Sequence, residues 1–352
     1  MNTALCKALG IEHPIIQAPM AGGTTTPALV AAVCNAGALG SIGAGYLTPD
    51  ALQQAIDEVR AQTDKPFAVN LFIPGSFARD DARVAASNHI LDGFRRELGI
   101  TTPEAMDSVD PDFDAQFAVV LDARPALFSS TFGALSAERV QQLKDADIQV
   151  AGTATSVAEA RHLEATGVDM IVAQGFDAGG HRGTFLTDFD RSAVGTLSLV
   201  PQIVDAVSIP VIASGGIMDG RGIAASHMLG AAGVQMGSAF LVCDESGAKP
   251  AHKAALASSA DTDSVITPAF SGKPARGLRN RFIEAFASAD IDLPDYPEQN
   301  AWTKDVRAAA GADDRPEFMS LWSGQAGGMA RPMSAAALVA QLVDETAQTI
   351  AR

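Results

Sequence analysis

The run Gln174-Gly175-Phe176-Asp177-Ala178-Gly179-Gly180-His181-Arg182-Gly183 places one histidine in a stretch of backbone that carries few side chains. Glycines let a flat ligand or its phosphate come close to the main chain. A histidine beside such a ligand can hold or move a proton near neutral pH. Two more glycine turns, Ser214-Gly215-Gly216 and Gln235-Met236-Gly237-Ser238, end apolar runs later in the chain. Backbone N–H groups in such turns are suited to bind an anion. Asn70 and Gln174 each carry a donor and an acceptor, which suits the edge of a heteroaromatic ring. Met20, within Gln17-Ala18-Pro19-Met20-Ala21-Gly22-Gly23, is suited to pack against a ring face. One phosphate site with an edge-recognised ring describes a mononucleotide such as FMN.

These residues need a scaffold that brings them together. Short apolar runs at 14–17, 39–42, 67–71, 126–131, 148–152, 170–173, 211–214 and 234–236 read as eight strands. Helical patterns at 27–36, 49–61, 137–146, 157–166, 194–207 and 220–229 alternate with them. Several begin after Ser or Thr, or with Pro, as helix starts do. The alternation predicts an α/β fold, a (β/α)8 TIM-type barrel, with the functional groups at the strands' C-terminal ends. The alternative is a doubly wound open sheet, but no strand–GxGxxG–helix fingerprint supports it. The run at 117–121 is read as the end of a helix rather than a strand.

Two segments break the rhythm. Residues 73–114 form an excursion between the third and fourth strands. Residues 243–323 read as a mainly helical cap inserted after strand 8, with the barrel comprising 1–242 and 324–352. The paired glycine turns after the seventh and eighth strands then occupy the usual phosphate position of this barrel.

Composition narrows the partners. The 352 residues include 41 Asp and Glu against 25 Lys and Arg, a formal net charge of −16. That balance disfavours nucleic acid and anionic membranes. Cys6, Cys34 and Cys243 are far apart and form no CxxC, so neither a disulfide framework nor a zinc site is expected. The six histidines show no HxxxH or HExxH spacing, and no catalytic metal is expected. The first residues lack a signal-peptide pattern, and no apolar run approaches a membrane span, so a cytoplasmic protein is expected.

Four segments resemble the nitronate monooxygenases, formerly called 2-nitropropane dioxygenases, and their bacterial class I branch in particular. They are Ile15-Ile16-Gln17-Ala18-Pro19-Met20-Ala21-Gly22, the run from Ala173 to Gly183, Val211-Ile212-Ala213-Ser214-Gly215-Gly216-Ile217, and Leu321-Trp322-Ser323-Gly324-Gln325-Ala326-Gly327-Gly328. The resemblance extends over nearly the whole chain. It implies that Asn70, Gln174, Gly179, Gly216, Gln235, Met236, Gly237 and Ser238 hold FMN and that His181 is the active-site histidine. It further implies one-electron oxidation of a small nitronate, such as propionate 3-nitronate, with O2 completing conversion to a carbonyl compound and nitrite. No nicotinamide is required, and the expected form is a monomer or homodimer. His181 is expected chiefly to donate a hydrogen bond to the nitronate, with removal of a proton from a neutral nitroalkane as its other role. Thr131, Arg182, Tyr296 and Lys304 are candidates for the substrate pocket. Asp177 stands where Glu is common, and Ser130-Thr131-Phe132 replaces a segment that often carries a histidine. The alternatives are an FMN-dependent NAD(P)H reductase of enoyl thioesters or quinones, and a flavin- or phosphate-binding protein without turnover.

Overall fold

The computed structural model describes residues 3–103 and 111–351. Its strands, in chain order, are β1 (Ile15–Gln17), β2 (Ser41–Gly43), β3 (Ala68–Phe72), β4 (Leu127–Thr131), β5 (Gln149–Ala154), β6 (Met170–Gln174), β7 (Gly180–His181), β8 (Val211–Ser214), β9 (Gly233–Met236), β10 (Ser264–Thr267) and β11 (Ala275–Leu278). Eight of them form one parallel sheet in the order β1-β9-β8-β6-β5-β4-β3-β2. A parallel bridge from Ile16 to Leu39 joins β1 to the chain just before β2 and completes the ring. All eight strands expected from the apolar runs are present, and the fold is a TIM-type α/β barrel.

The helices start where their caps dictate. Thr26 and Thr48 accept from the amides of Leu29 and Ala51, each just before a proline at the head of its helix (Pro27–Asn35 and Pro49–Arg60). Ser136 and Ser156 cap the helices Ala137–Asp145 and Val157–Ala165 in the same way. The ambiguous run at 117–121 lies within the helix Phe113–Ala123. At the strands' N-terminal ends, Leu5 and Leu9 of the helix Ala4–Leu9 pack with Ile16, Leu39, Ala68, Leu127 and Met170, closing the barrel there. Among the described residues no helix is long and apolar enough to cross a membrane.

A second core stands over the other end. Val84, Leu91 and Phe94 of the helix Asp81–Leu98 pack with Phe270, Phe282, Phe286, Trp302, Val306 and Phe318. Two insertions distant in sequence therefore share one apolar cluster. Arg95, 1% exposed, fastens them: its Nε donates to Asp305 Oδ2 at 2.7 Å and an Nη to the carbonyl of Trp302 at 3.0 Å. The 243–323 segment also holds strand structure not expected from the sequence. β10 and β11 pair antiparallel, and β11 pairs with β7, setting Ala275 opposite His181. Val265, Ile266 and Thr267 are β-branched and favour this extended form.

Candidate active site

A cavity of about 1000 Å³ opens where the barrel strands end, beneath the second core. Met20, Asn70, Thr131, Gln174, Gly179, His181, Gly215, Gly216, Gln235, Met236, Gly237, Ser238 and Lys304 all border it. Residues from four barrel strands (β3, β4, β6 and β9), from the turns after β1, β6, β8 and β9 and from the 243–323 segment thus converge on one space.

The glycine turns meet the requirements of an anion cradle. Gly215 and Gly216 have φ of 119° and 69°, a region L side chains rarely enter. A Cβ on Gly216 would stand 3.1 Å from Cβ of Asp177. Gly216, Ile217, Gly237 and Ser238 line the cavity. Among the described residues their main-chain amides donate no hydrogen bond to the protein. Four such donors around one space fit a phosphate.

The turn that carries His181 is braced from several sides. Asp177 Oδ2 accepts from the amide of Thr196 at 2.6 Å and from its hydroxyl at 2.7 Å. A Cβ on Gly175 would overlap that threonine, so glycine is required there. The main-chain carbonyl of Asp177 accepts from Gln325 at 3.0 Å, and Gly324 donates to Ser238 Oγ at 2.9 Å. The late Gly-Gln-Ala-Gly run therefore joins the histidine turn to the loop after β9. Gln174 spans the turn itself: its Nε2 donates to the carbonyl of His181 at 3.0 Å and its Oε1 accepts from Gly183 at 2.8 Å. Asn70 Nδ2 donates to Ser129 Oγ at 2.9 Å and to the Ser129 carbonyl at 3.1 Å. Both amides brace protein first, which leaves Asn70 Oδ1 and the second N–H of Gln174 for a ligand.

His181 is enclosed by aromatic rings, with Phe132 at 5.6 Å, Trp322 at 5.5 Å and Tyr296 at 6.0 Å between centroids. Its Nε2 lies 2.7 Å from Ser271 Oγ. Burial, then the charges of Lys273 and Arg307, lower its pKa from 6.5 to about 3, so the ring is neutral at physiological pH. His252, which also lines the cavity, is bonded through Nε2 to the Trp322 carbonyl at 3.0 Å, and burial lowers it to about 4.

Arg182 does not line the cavity, contrary to the sequence expectation. It is 4% exposed. Its guanidinium donates to the main-chain carbonyls of Gln174, Ser192 and Thr155. Successive side chains of an extended segment point to opposite sides, so the neighbour of a cavity-facing histidine is turned into the protein. Burial lowers its pKa to about 10, and it serves as a brace for the loop. Tyr296 stands behind the cavity wall, 5.5 Å from the Phe132 ring. Lys304 borders the cavity at its exposed side.

Arg307, Lys249 and His252 line the cavity but did not stand out in the sequence, while Phe132 and Trp322 stand there in segments already singled out, without a role of their own. Arg307 was within reach of sequence reasoning: it lies three residues after Lys304 on the helix Lys304–Ala312, hence on the same face. Its Nη2 donates to Asn300 Oδ1 at 2.9 Å and its Nε to Thr303 Oγ1 at 3.1 Å. Among the described residues it forms no ion pair. The chain has a net charge of −16, yet among the described residues the cavity is bordered by Lys249, Lys304 and Arg307 and by Asp112 alone among carboxylates. This arrangement can hold a phosphate and an additional small anion beside a neutral imidazole.

The chain matches the family model described as nitronate monooxygenase over residues 2–345. A probable nitronate monooxygenase of Staphylococcus haemolyticus is 45% identical over 346 residues, spanning 98% of this chain and 97% of that protein. Among solved structures, a nitroalkane oxidase from Streptomyces ansochromogenes superposes with a TM-score of 0.91 at 39% identity, covering 99% of each chain. FabK from Thermotoga maritima superposes with a TM-score of 0.79 at 30% identity, covering 100% of this chain and 98% of that one.

Proposed function

The chain belongs to the nitronate monooxygenase family and is an oxidoreductase, and from that premise we propose that it is an FMN-dependent enzyme that oxidises small anionic nitronates with O2 to a carbonyl compound and nitrite. The observation that carries the reading is the group of cations at the cavity. A strongly acidic chain sets Lys249, Lys304 and Arg307 around a space that also holds the glycine cradle and His181. An anionic substrate is drawn to such a site by local charge whatever the sign of the whole chain.

The amides of Gly216, Ile217, Gly237 and Ser238 would hold the phosphate of FMN. Met20, Asn70, Gln174, Gly179, Gly215, Gln235 and Met236 would border the rest of it. The flavin supplies one-electron oxidation of the nitronate when bound. Arg307 and Lys304 orient the anion, and Thr131 and Phe132 narrow its space. The rings of Phe132, Tyr296 and Trp322 keep water from His181, which holds or moves a proton at the reacting end of the substrate.

The likeness to FabK favours one second reading, an NAD(P)H-dependent flavin reductase on the same scaffold. The proposed function is tested by identifying the heat-released cofactor and following O2 uptake and nitrite formation with propionate 3-nitronate. FMN with one nitrite formed per nitronate consumed is expected. FAD, or absence of nitrite from the flavin-loaded protein, would overturn the proposal.

A further inference from the structure

The contact between His181 and Ser271 joins residues 90 positions apart. Ser271 is 1% exposed and lies in the connection between β10 and β11. β11 pairs directly with β7, so the sheet that carries His181 also fixes the approach of Ser271. The serine hydroxyl has one hydrogen, and its surroundings decide where that hydrogen goes. The carbonyl of Lys273, an acceptor only, lies 3.1 Å from Oγ, while the amide of Lys273 donates to Oγ at 3.3 Å. Among the described residues no main-chain amide donates to that carbonyl. Directing the hydroxyl hydrogen to the Lys273 carbonyl satisfies every group, provided the histidine donates to Oγ.

We infer that Ser271 is a positioning residue that holds His181 in the tautomer with its proton on Nε2, leaving the lone pair on Nδ1. Among the described residues Nδ1 has no hydrogen-bond partner. The cations near the ring, Lys273 and Arg307, oppose a second proton.

This assignment changes the expected role of the histidine. The N–H of the resting ring is committed to Ser271, so the available nitrogen accepts rather than donates. With a neutral nitroalkane, the α-carbon proton moves to Nδ1 and the C–H electron pair passes through carbon to the nitro oxygens, giving a nitronate beside an imidazolium. The new Nδ1–H then faces the anion that it produced. A substrate that arrives as a nitronate skips this transfer. The catalytic consequence rests on the proposed function, whereas the tautomer does not.

The test uses flavin-loaded protein with 15N-labelled histidine and long-range proton–nitrogen correlation, the His181 signals being assigned by their loss in His181→Asn. A protonated Nε2 and bare Nδ1 are expected in the wild type. Ser271→Ala should give averaged nitrogen shifts and slow anaerobic flavin reduction by nitroethane about fivefold to tenfold, the scale of one lost hydrogen bond. Reduction by ethyl nitronate should stay within about twofold. Ser271→Thr, which restores the hydroxyl, should return both the spectrum and the nitroethane rate. A wild-type proton on Nδ1 would overturn the inference even if the alanine variant failed to fold, as would an unchanged spectrum in Ser271→Ala. If neither compound reduces the flavin, the proposed function fails while the spectrum still decides the tautomer.

Discussion

Gln174 and His181 are tied across the turn between β6 and β7: the glutamine Nε2 donates to the histidine's own carbonyl at 3.0 Å, and its Oε1 holds the Gly183 amide at 2.8 Å. The side chain at the end of a barrel strand thus fixes the backbone on either side of Arg182. Gln174→Leu removes both bonds and leaves a carbonyl and an amide without partners. A loss of about 1–3 kcal/mol in folding stability is expected, measured by denaturant unfolding. The same variant should lower kcat through loss of His181 placement. An unchanged unfolding midpoint would show that the brace is not needed.

Gly216→Val separates fold from cofactor. At φ of 69° a β-branched residue is strained by roughly 1–2 kcal/mol, and its Cβ presses on Asp177. That cost is small beside the loss expected where a phosphate approaches the backbone. The variant should fold yet retain less than about a tenth of the wild-type flavin, read from the ratio of flavin to protein absorbance. Full flavin content in a folded variant would misplace the phosphate.

Much of this was legible in the chain. Eight apolar runs bounded by Thr, Ser, Pro and Gly announce the barrel because caps and turns act locally. The residues at strand ends followed from the fold, since a barrel delivers them all to one face. What stayed hidden depends on long-range pairing. β7 has only two residues and exists because β11 pairs with it from nearly a hundred residues away. Ser271 was invisible for the same reason. Arg182 was misread because adjacency in sequence to His181 puts it on the opposite side of an extended segment. Arg307 was overlooked although its spacing from Lys304 places it on the same helical face.

The cap cations should act unequally. Arg307 is half-buried and held by Asn300 and Thr303, whereas Lys304 is exposed to solvent screening. Arg307→Met is expected to raise the KM for an anionic nitronate about tenfold or more, with little effect on the KM for a neutral nitroalkane. Lys304→Met should raise it by about threefold or less. Equal effects on anionic and neutral substrates in steady-state assays would remove Arg307 from charge recognition.

Acid should destabilise the protein through two histidines. His181 and His252 have pKa values lowered to about 3 and about 4, so both are neutral in the folded state where an unfolded histidine begins to take a proton, near pH 6.5. The unfolded chain therefore binds more protons between about pH 4 and 6.5, and stability falls as pH drops through that window. Urea midpoints measured from pH 7 down to pH 4.5 should decline less steeply in His252→Asn than in the wild type. Parallel pH profiles would mean that His252 does not remain neutral on folding.

The most direct measurement is anaerobic stopped-flow reduction of the flavin-loaded protein by propionate 3-nitronate, with NADPH and NADH as separate reductants. The account predicts rapid reduction by the nitronate and no reduction by either nicotinamide on that timescale; with nitroethane in place of the nitronate, His181→Asn should slow reduction about a hundredfold or more. Rapid bleaching by NADPH or NADH with no response to the nitronate would contradict it and assign the cavity to a nicotinamide-dependent reductase.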